Sequence, residues 1–198
     1  NDCDLLHGDI GVATLYRASD GAPVQIGAEL EKGTSDAPLA YELAQAGELK
    51  LCKRADGKPW YVSFKASVAV TITGEGDDVV ISGADKVPAI TIGHSGLKVK
   101  VANLSIVAGA ATQIWNDAAN NPFKVGAAVA CTMASEVELS SVGVTKNTAD
   151  TGVLFFSDGC KATIKGLVAD ENVTLMGAAI SVRKGGDVTI EGLRMRKN

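Results

Sequence analysis

The chain is short of the residues from which most enzyme and metal sites are built. It has only 2 histidines, His7 and His94, and no Cys-x-x-Cys spacing, so the common zinc sites are excluded and no metal or other cofactor is expected. No apolar run approaches the roughly 20 residues that a membrane-spanning helix needs. Basic excess is missing too: a net charge of −4 gives no electrostatic reason to expect nucleic acid or an anionic membrane as partner. Gly74-Glu75-Gly76 is not a phosphate loop, because no helix follows it. Aromatic residues are only 5% of the chain, while glycine is plentiful at 22, alongside many Val, Ala, Ile and Thr; short strands joined by tight turns suit that mixture. With 198 residues the chain is long enough for one domain with a large core.

The four cysteines are Cys3, Cys52, Cys131 and Cys160. Their even number fits an oxidising compartment with Cys3–Cys52 and Cys131–Cys160 as pairs, and fits four buried thiols equally well. The first residues are Asn-Asp-Cys with no initiator Met, which a removed signal peptide or a trimmed chain would both explain. The expected location is extracellular, periplasmic or cell surface.

The C-terminal third repeats itself. Val137-Glu138-Leu139-Ser140-Ser141-Val142 lies over Ala162-Thr163-Ile164-Lys165-Gly166-Leu167, and that over Val188-Thr189-Ile190-Glu191-Gly192-Leu193. The same spacing sets Asn147 over Asn172 over Asn198, and Gly126 over Gly152 over Ala178. A period in the twenties marks a solenoid, whose repeats bury their apolar faces only against neighbours. Upstream, Val70-Thr71-Ile72 aligns with Ile90-Thr91-Ile92, and Val79-Val80-Ile81 with Val99-Lys100-Val101. Between Val99 and Val137 lies one coil plus an insertion at about 108–124.

Period-two alternation predicts three inward faces. The first reads Val79/Ile81, Val99/Val101, Val137/Leu139, Ala162/Ile164 and Val188/Ile190; the second Ala84, Leu104, Val142, Leu167 and Leu193; the third Ile90/Ile92, Ala128/Ala130, Leu154/Phe156 and Ile180/Val182. Ile81, Val101, Leu139, Ile164 and Ile190 are expected in one buried stack. The corner before the second face holds Gly83, Asn103, Ser141, Gly166 and Gly192, residues that accept a turn. The outward column Asp78, Lys98, Glu136, Lys161, Asp187 alternates in sign, which removes like-charge repulsion between strands about 4.8 Å apart and helps fix register. Asn103-Leu104-Ser105 and Asn172-Val173-Thr174 match the glycosylation pattern, yet both asparagines fall at predicted turns.

Residues 1–65 are expected to form an N-terminal cap and first coil, and 66–198 the remaining coils, as one structural domain. The cap includes a helix at about Ala37–Gly47, with Pro38 in its first turn and Leu39, Leu43 and Ala46 on one face. Strands are predicted at Leu49–Cys52 and Trp60–Phe64, with Ala55–Pro59 as the turn between them.

From about Ala37 onward the pattern resembles the pectin-lyase-like superfamily of right-handed parallel β-helices. The entry segment carries a Gly-containing turn before Trp60-Tyr61, then Val70-Thr71-Ile72-Thr73-Gly74-Glu75-Gly76. The last coils, with Gly177-Ala178-Ala179-Ile180 and Asp187-Val188-Thr189-Ile190-Glu191-Gly192, are similar to repeats of bacterial surface and autotransporter-type β-helices. The resemblance implies an all-β, right-handed parallel β-helix with an N-terminal capping helix. For function it implies little, since one fold hosts many activities.

The lyases and hydrolases of that superfamily need clustered carboxylates on adjacent coils. Here the acid-rich column interleaves lysines and leaves Glu136 and Asp187 two coils apart, so no catalytic residue is assigned. Two binding candidates remain. One aligns Gly93, Cys131, Ser157 and Arg183, beside His94, Thr132, Asp158 and Lys184; Asp158, Arg183 and Lys184 then form a corner suited to an anionic sugar or simply a surface ion pair. The other is the 108–124 insertion, where Trp115, Asn116, Asp117, Asn120, Asn121 and Phe123 mix flat apolar faces with amides, as carbohydrate or protein contacts do. Equally, the two aromatics would fold back on the flank while the asparagines supply turns. Arg194, Arg196 and Lys197 form a basic end, which a chain terminus or a cut through a longer solenoid would both explain.

The expected function is a non-enzymatic extracellular or surface β-helix with a structural, adhesive or assembly role. The alternatives are a lyase or hydrolase acting on an acidic polysaccharide, and a subunit of a larger complex. Partners are expected to be protein or polysaccharide, on the solenoid face or the 108–124 loop, with end-to-end self-association as a further route.

Overall fold

A computed structural model of the chain describes residues 3, 12–75, 78–176 and 179–198. His7, Gly76, Gly177 and Ala178 lie outside them. The strands β1 (Ala13–Arg17) and β2 (Pro23–Gln25) precede a single helical turn, α1 (Gly27–Leu30). Then come β3 (Leu39–Leu43), β4 (Gly47–Cys52), β5 (Trp60–Ala66), β6 (Val70–Glu75), β7 (Val80–Ser82), β8 (Ile90–Ile92) and β9 (Lys98–Val107). The second half runs β10 (Gln113–Asn116), β11 (Pro122–Val125), β12 (Val129–Cys131), β13 (Glu136–Thr145), β14 (Thr148–Ala149) and β15 (Leu154–Phe156). It ends with β16 (Lys161–Asp170), β17 (Val173–Thr174), β18 (Ile180–Val182) and β19 (Asp187–Arg196).

These strands wind a β-solenoid of about six turns, 55% strand and 3% helix. β9, β13, β16 and β19 stack in parallel, with Val99 on Val137, Val137 on Ala162 and Ala162 on Val188. On another face β8, β12, β15 and β18 do the same. Alternation along each long strand drives the stacking: Val101, Leu139 and Ile164 are fully buried while Lys98, Glu136 and Lys161 stand in solvent. Each ten-residue strand is bent by one left-handed residue, Asn103, Ser141, Gly166 or Gly192, with φ of 54°, 52°, 65° and 71°. The bend restarts the alternation, so Leu104, Val142 and Leu167 also face inward and are buried.

The head of the solenoid is closed. β1 runs antiparallel to both β2 and β4, and Ile26 and Leu30, flanking and ending α1, are buried beside it. The expected helix at Ala37–Gly47 is not there: those residues form β3 and the start of β4, and the one helix described is α1. Leu39, Tyr41 and Leu43 satisfy period two as well as a helical face, and β3 pairs with β5 in parallel, setting Tyr41 edge-on to Phe64 with ring centroids 6.1 Å apart. Gly47 is no helix stop either; a Cβ there would lie 2.0 Å from the Tyr16 carbonyl oxygen of the adjacent strand.

Three alignments are corrected by the register. Val70 and Ile72 sit on Val99 and Val101, where Val79 and Ile81 were expected, while Ile81 stacks between Trp60 and Ile106. Asp78 therefore leaves the charged column and pairs with Lys53 at 2.9 Å. Ala84 leaves the second inward face; it and Asp85 carry positive φ, so they make the corner assigned to Gly83. On the third face Val129 and Cys131 stack on Ile90 and Ile92, one residue away from the expected Ala128 and Ala130. In the expected buried stack, Val101, Leu139, Ile164 and Ile190 do share one column, with Ile190 left 40% exposed at the end.

The strongest polar feature of the interior is a stack of asparagines. The Asn147 side-chain oxygen accepts from the Gly109 N–H at 2.8 Å; that of Asn172 accepts from the Asn147 N–H and amide at 3.1 and 3.0 Å; that of Asn198 accepts from the Asn172 N–H and amide at 3.2 and 2.7 Å. Asn147 and Asn172 are almost wholly buried, so every coil satisfies the turn of the coil before it. Asn172 is therefore closed as a sugar acceptor. Both cysteine pairs are disulfides, Cys3–Cys52 with Cα atoms 5.7 Å apart and Cys131–Cys160 with 6.1 Å.

The tail is open. Among the described residues β19 pairs only with β16, and Ile190, Leu193 and Met195 remain 40%, 41% and 42% exposed. Val173, Leu175, Met176 and Val182 of the same coil are exposed as well.

Asn172→Ala would leave the buried Asn147 N–H without its acceptor and remove one bond each from the Asn147 amide and the Val144 carbonyl, at a cost of about 1–3 kcal/mol. Asn198→Ala, at the solvated end, should cost about 1 kcal/mol or less. Urea unfolding followed by circular dichroism checks the order. Removing the Cys131–Cys160 bridge, which spans 29 residues, should cost about 2–4 kcal/mol in the same measurement.

Candidate functional site

The two binding candidates of the sequence turn out to be neighbours. β10 and β11 form an antiparallel hairpin in the 108–124 insertion, pairing Trp115 with Phe123. Its base is fixed to the solenoid by the Lys124 N–H donating to Asp150 at 2.8 Å, and its flank by the Gln113 amide donating to the Thr132 hydroxyl at 2.6 Å. On β15, Leu154 and Phe156 point into the core, which sends Phe155 to the outer wall. Trp115 covers it, with ring centroids 5.5 Å apart, and Phe155 is fully buried as a result. The hairpin thus folds back on the flank, as apolar area requires.

The asparagines serve the loop. Asp117 accepts from the N–H groups of Ala119 and Asn121 and from the Asn121 amide, at 2.9, 2.8 and 3.0 Å, and Asn120 takes the left-handed position with φ 62°. These bonds, first from the Asn121 side chain, hold the Asp117 carboxyl below its ordinary pKa. Asn116 is exposed at the strand end, opposite Pro122.

Below the hairpin the coil corners stack. Asp158-Gly159 and Lys184-Gly185 both turn with positive φ after β15 and β18, so the Lys184 ammonium sits 2.9 Å from the Asp158 carboxylate. Asp158 also accepts from the Ser157 hydroxyl at 2.8 Å, and the Trp115 indole is near enough to favour its charged form. Burial pushes the Asp158 pKa up, but Lys184, Ser157 and Trp115 together outweigh it and hold the carboxyl below its usual value. Arg183 stands one residue away, its Nε donating to the Ser181 hydroxyl at 3.2 Å. The register corrects the expected columns: with Cys131 level with Phe156 and Val182, Thr132 falls in line with Ser157 and Arg183.

Between hairpin and corner lies a cleft of about 200 Å³ lined by Trp115, Asp117, Phe123, Thr151, Met176 and Arg183. That is below the roughly 300 Å³ at which small-molecule pockets begin. Thr151 and Met176 were not singled out from the sequence, and nothing in their local pattern marks them. Phe155 had a signal: an aromatic doublet in an alternating strand must put one ring outside, and an outside ring needs a cover.

Chemically the site is a set of satisfied charges beside an aromatic wall. Asp158, kept ionised, is suited to hold Lys184 and Trp115 in place and unsuited to donate a proton. Cys3 and Cys52 lie with Glu75 within reach of a common point, but their sulfurs are joined to each other and offer no thiolate.

The geometry by itself defines a class, a parallel β-solenoid with one hairpin-covered corner. No family model, curated protein or solved structure matches the chain.

Because the Asp158 pKa is depressed in the folded state, its contribution to stability is complete above the ordinary value of about 3.9 and is lost as pH falls through the lower folded value. Asp158→Asn should therefore destabilise the protein at neutral pH, and the gap from the native chain should close in acid. Unfolding curves across that range test it; a gap independent of pH would contradict the assignment.

Proposed function

We propose that the chain is an extracellular or surface β-helix module, structural and assembly-forming rather than catalytic, of the pectin-lyase-like kind that its coils resemble. The observation that carries this reading is the outer wall, where charges of successive coils pair, Lys98 with Glu136 at 3.3 Å and Lys100 with Glu138 at 3.1 Å. Paired charges of this kind support a rigid wall better than a reaction centre, and the two disulfides fit an oxidising compartment. Light scattering should show association rising with protein concentration. Monomers at every concentration would refute self-assembly as the route.

A second reading, an enzyme acting on an acidic polysaccharide, has one observation in its favour: the hairpin aromatics and the Asp158–Lys184 corner, with Arg183, meet at one cleft. Incubation with pectate, polygalacturonate and alginate, with and without calcium, should yield no new unsaturated or reducing ends. Products that vanish in Asp158→Ala or Arg183→Ala would replace the first reading with this one.

A further inference from the structure

We infer that this chain folds in an oxidising compartment that attaches no N-linked glycans, a periplasm and not an endoplasmic reticulum. The inference rests on the extracellular or surface reading and adds to it the route by which the chain matures.

Two motifs in the sequence match the acceptor pattern for N-linked sugar, and the fold treats them in opposite ways. Asn103-Leu104-Ser105 begins at a corner, where Asn103 is exposed with φ of 54° and leaves room for a sugar. Asn172-Val173-Thr174 begins inside the asparagine stack, where Asn172 is 3% exposed.

The Asn172 amide has no hydrogen to give up. One goes to the Val144 carbonyl at 2.9 Å and the other to the Asn198 side-chain oxygen at 2.7 Å. Its own oxygen accepts from the Asn147 N–H and amide at the same time. Glycosylation replaces one amide hydrogen with a sugar carbon and adds a bulky polar group. The interior has no space for that group and no water to solvate it. Backbone pairing resumes at the very next residue, whose N–H donates to the Asn147 carbonyl at 2.8 Å, so the chain cannot bulge outward to make room. The folded stack and a glycan on Asn172 exclude each other.

The motif is incidental to the fold. Ala149 occupies the place of Thr174 one coil earlier, so the stack requires the asparagine and not the threonine. A compartment that transfers glycans does so while the chain enters, before the stack around Asn172 has formed, and so would reach this asparagine first. Disulfides form in the endoplasmic reticulum, in the bacterial periplasm and at cell surfaces. The Cys3–Cys52 and Cys131–Cys160 bridges confine the chain to those places, and the buried acceptor removes the first of them.

The test exports the full chain by two routes, through the secretory pathway of a eukaryotic cell and into a bacterial periplasm. In the eukaryotic cell, enzymatic glycan removal leaves aspartate at an occupied site, and mass spectrometry should find it at 172 in chains that are retained and protease-sensitive. Thr174→Val, which destroys the motif, should raise the yield of secreted, protease-resistant chain at least about tenfold. The native chain made with glycan transfer inhibited should recover in the same way, without any substitution. The periplasmic chain should carry both disulfides and resist protease. A glycan on Asn172 in secreted, protease-resistant chains would overturn the inference. So would an unmodified Asn172 in native chain secreted in full, or no gain from either treatment. Those results leave the extracellular module standing, whereas a periplasmic chain that forms no disulfides would remove both.

Discussion

The parallel register between successive long strands is the constraint on which the structure depends. Each coil has no core of its own; Val137 and Leu139 are buried because Val99 and Val101 lie on one side and Ala162 and Ile164 on the other. A slip of one residue would turn these side chains into solvent and the lysines and glutamates into the core. Register is held by the inward column, by the asparagine stack and by the left-handed bends at Asn103, Ser141, Gly166 and Gly192, which recur at the same place in each coil.

The outer wall follows from that register. Lys98 meets Glu136 at 3.3 Å and Lys100 meets Glu138 at 3.1 Å, while Lys146 and Lys197 flank Glu171 at 3.9 and 3.1 Å. These pairs are exposed and screened by solvent, so each contributes little. Their main effect is to make the wrong stacking unfavourable. They also leave few free carboxylates along these columns, which separates this wall from the clustered acids that glycan-cleaving sites require.

From Lys98 onward the coils were legible because their repeats are long and regular. Ten-residue strands with a fixed bend, the last three followed by an asparagine two residues past the strand, leave one alignment that satisfies all of them. Upstream, Val70-Thr71-Ile72 and Ile90-Thr91-Ile92 look alike but belong to different faces, β6 on β9 and β8 on β5. A match of three β-branched residues carries no information about which face it occupies. Ala127 to Cys131 is apolar in both phases, so periodicity could not choose between Ala128/Ala130 and Val129/Cys131. At Ala37–Gly47 a helical and an alternating pattern coincided, and pairing with β5 decided between them. The hairpin residues and the Asp158, Arg183 and Lys184 corner were named separately; that Trp115, Asp117 and Phe123 meet Arg183 at one cleft was visible in neither.

The sequence by itself determined the solenoid, its repeat, the inward columns of the last coils and the bends. Those properties are periodic, and periodicity survives in one dimension. The alignment of the corners also placed Asp158 beside Lys184, as the structure has them. Only the tertiary structure decided that Trp115 covers Phe155, that the Trp115 indole reaches Asp158, and that β1 and β2 close the head. Each of these depends on how an insertion or an end meets coils distant in sequence. No local pattern encodes such a meeting, because its energy comes from surface covered on two segments at once.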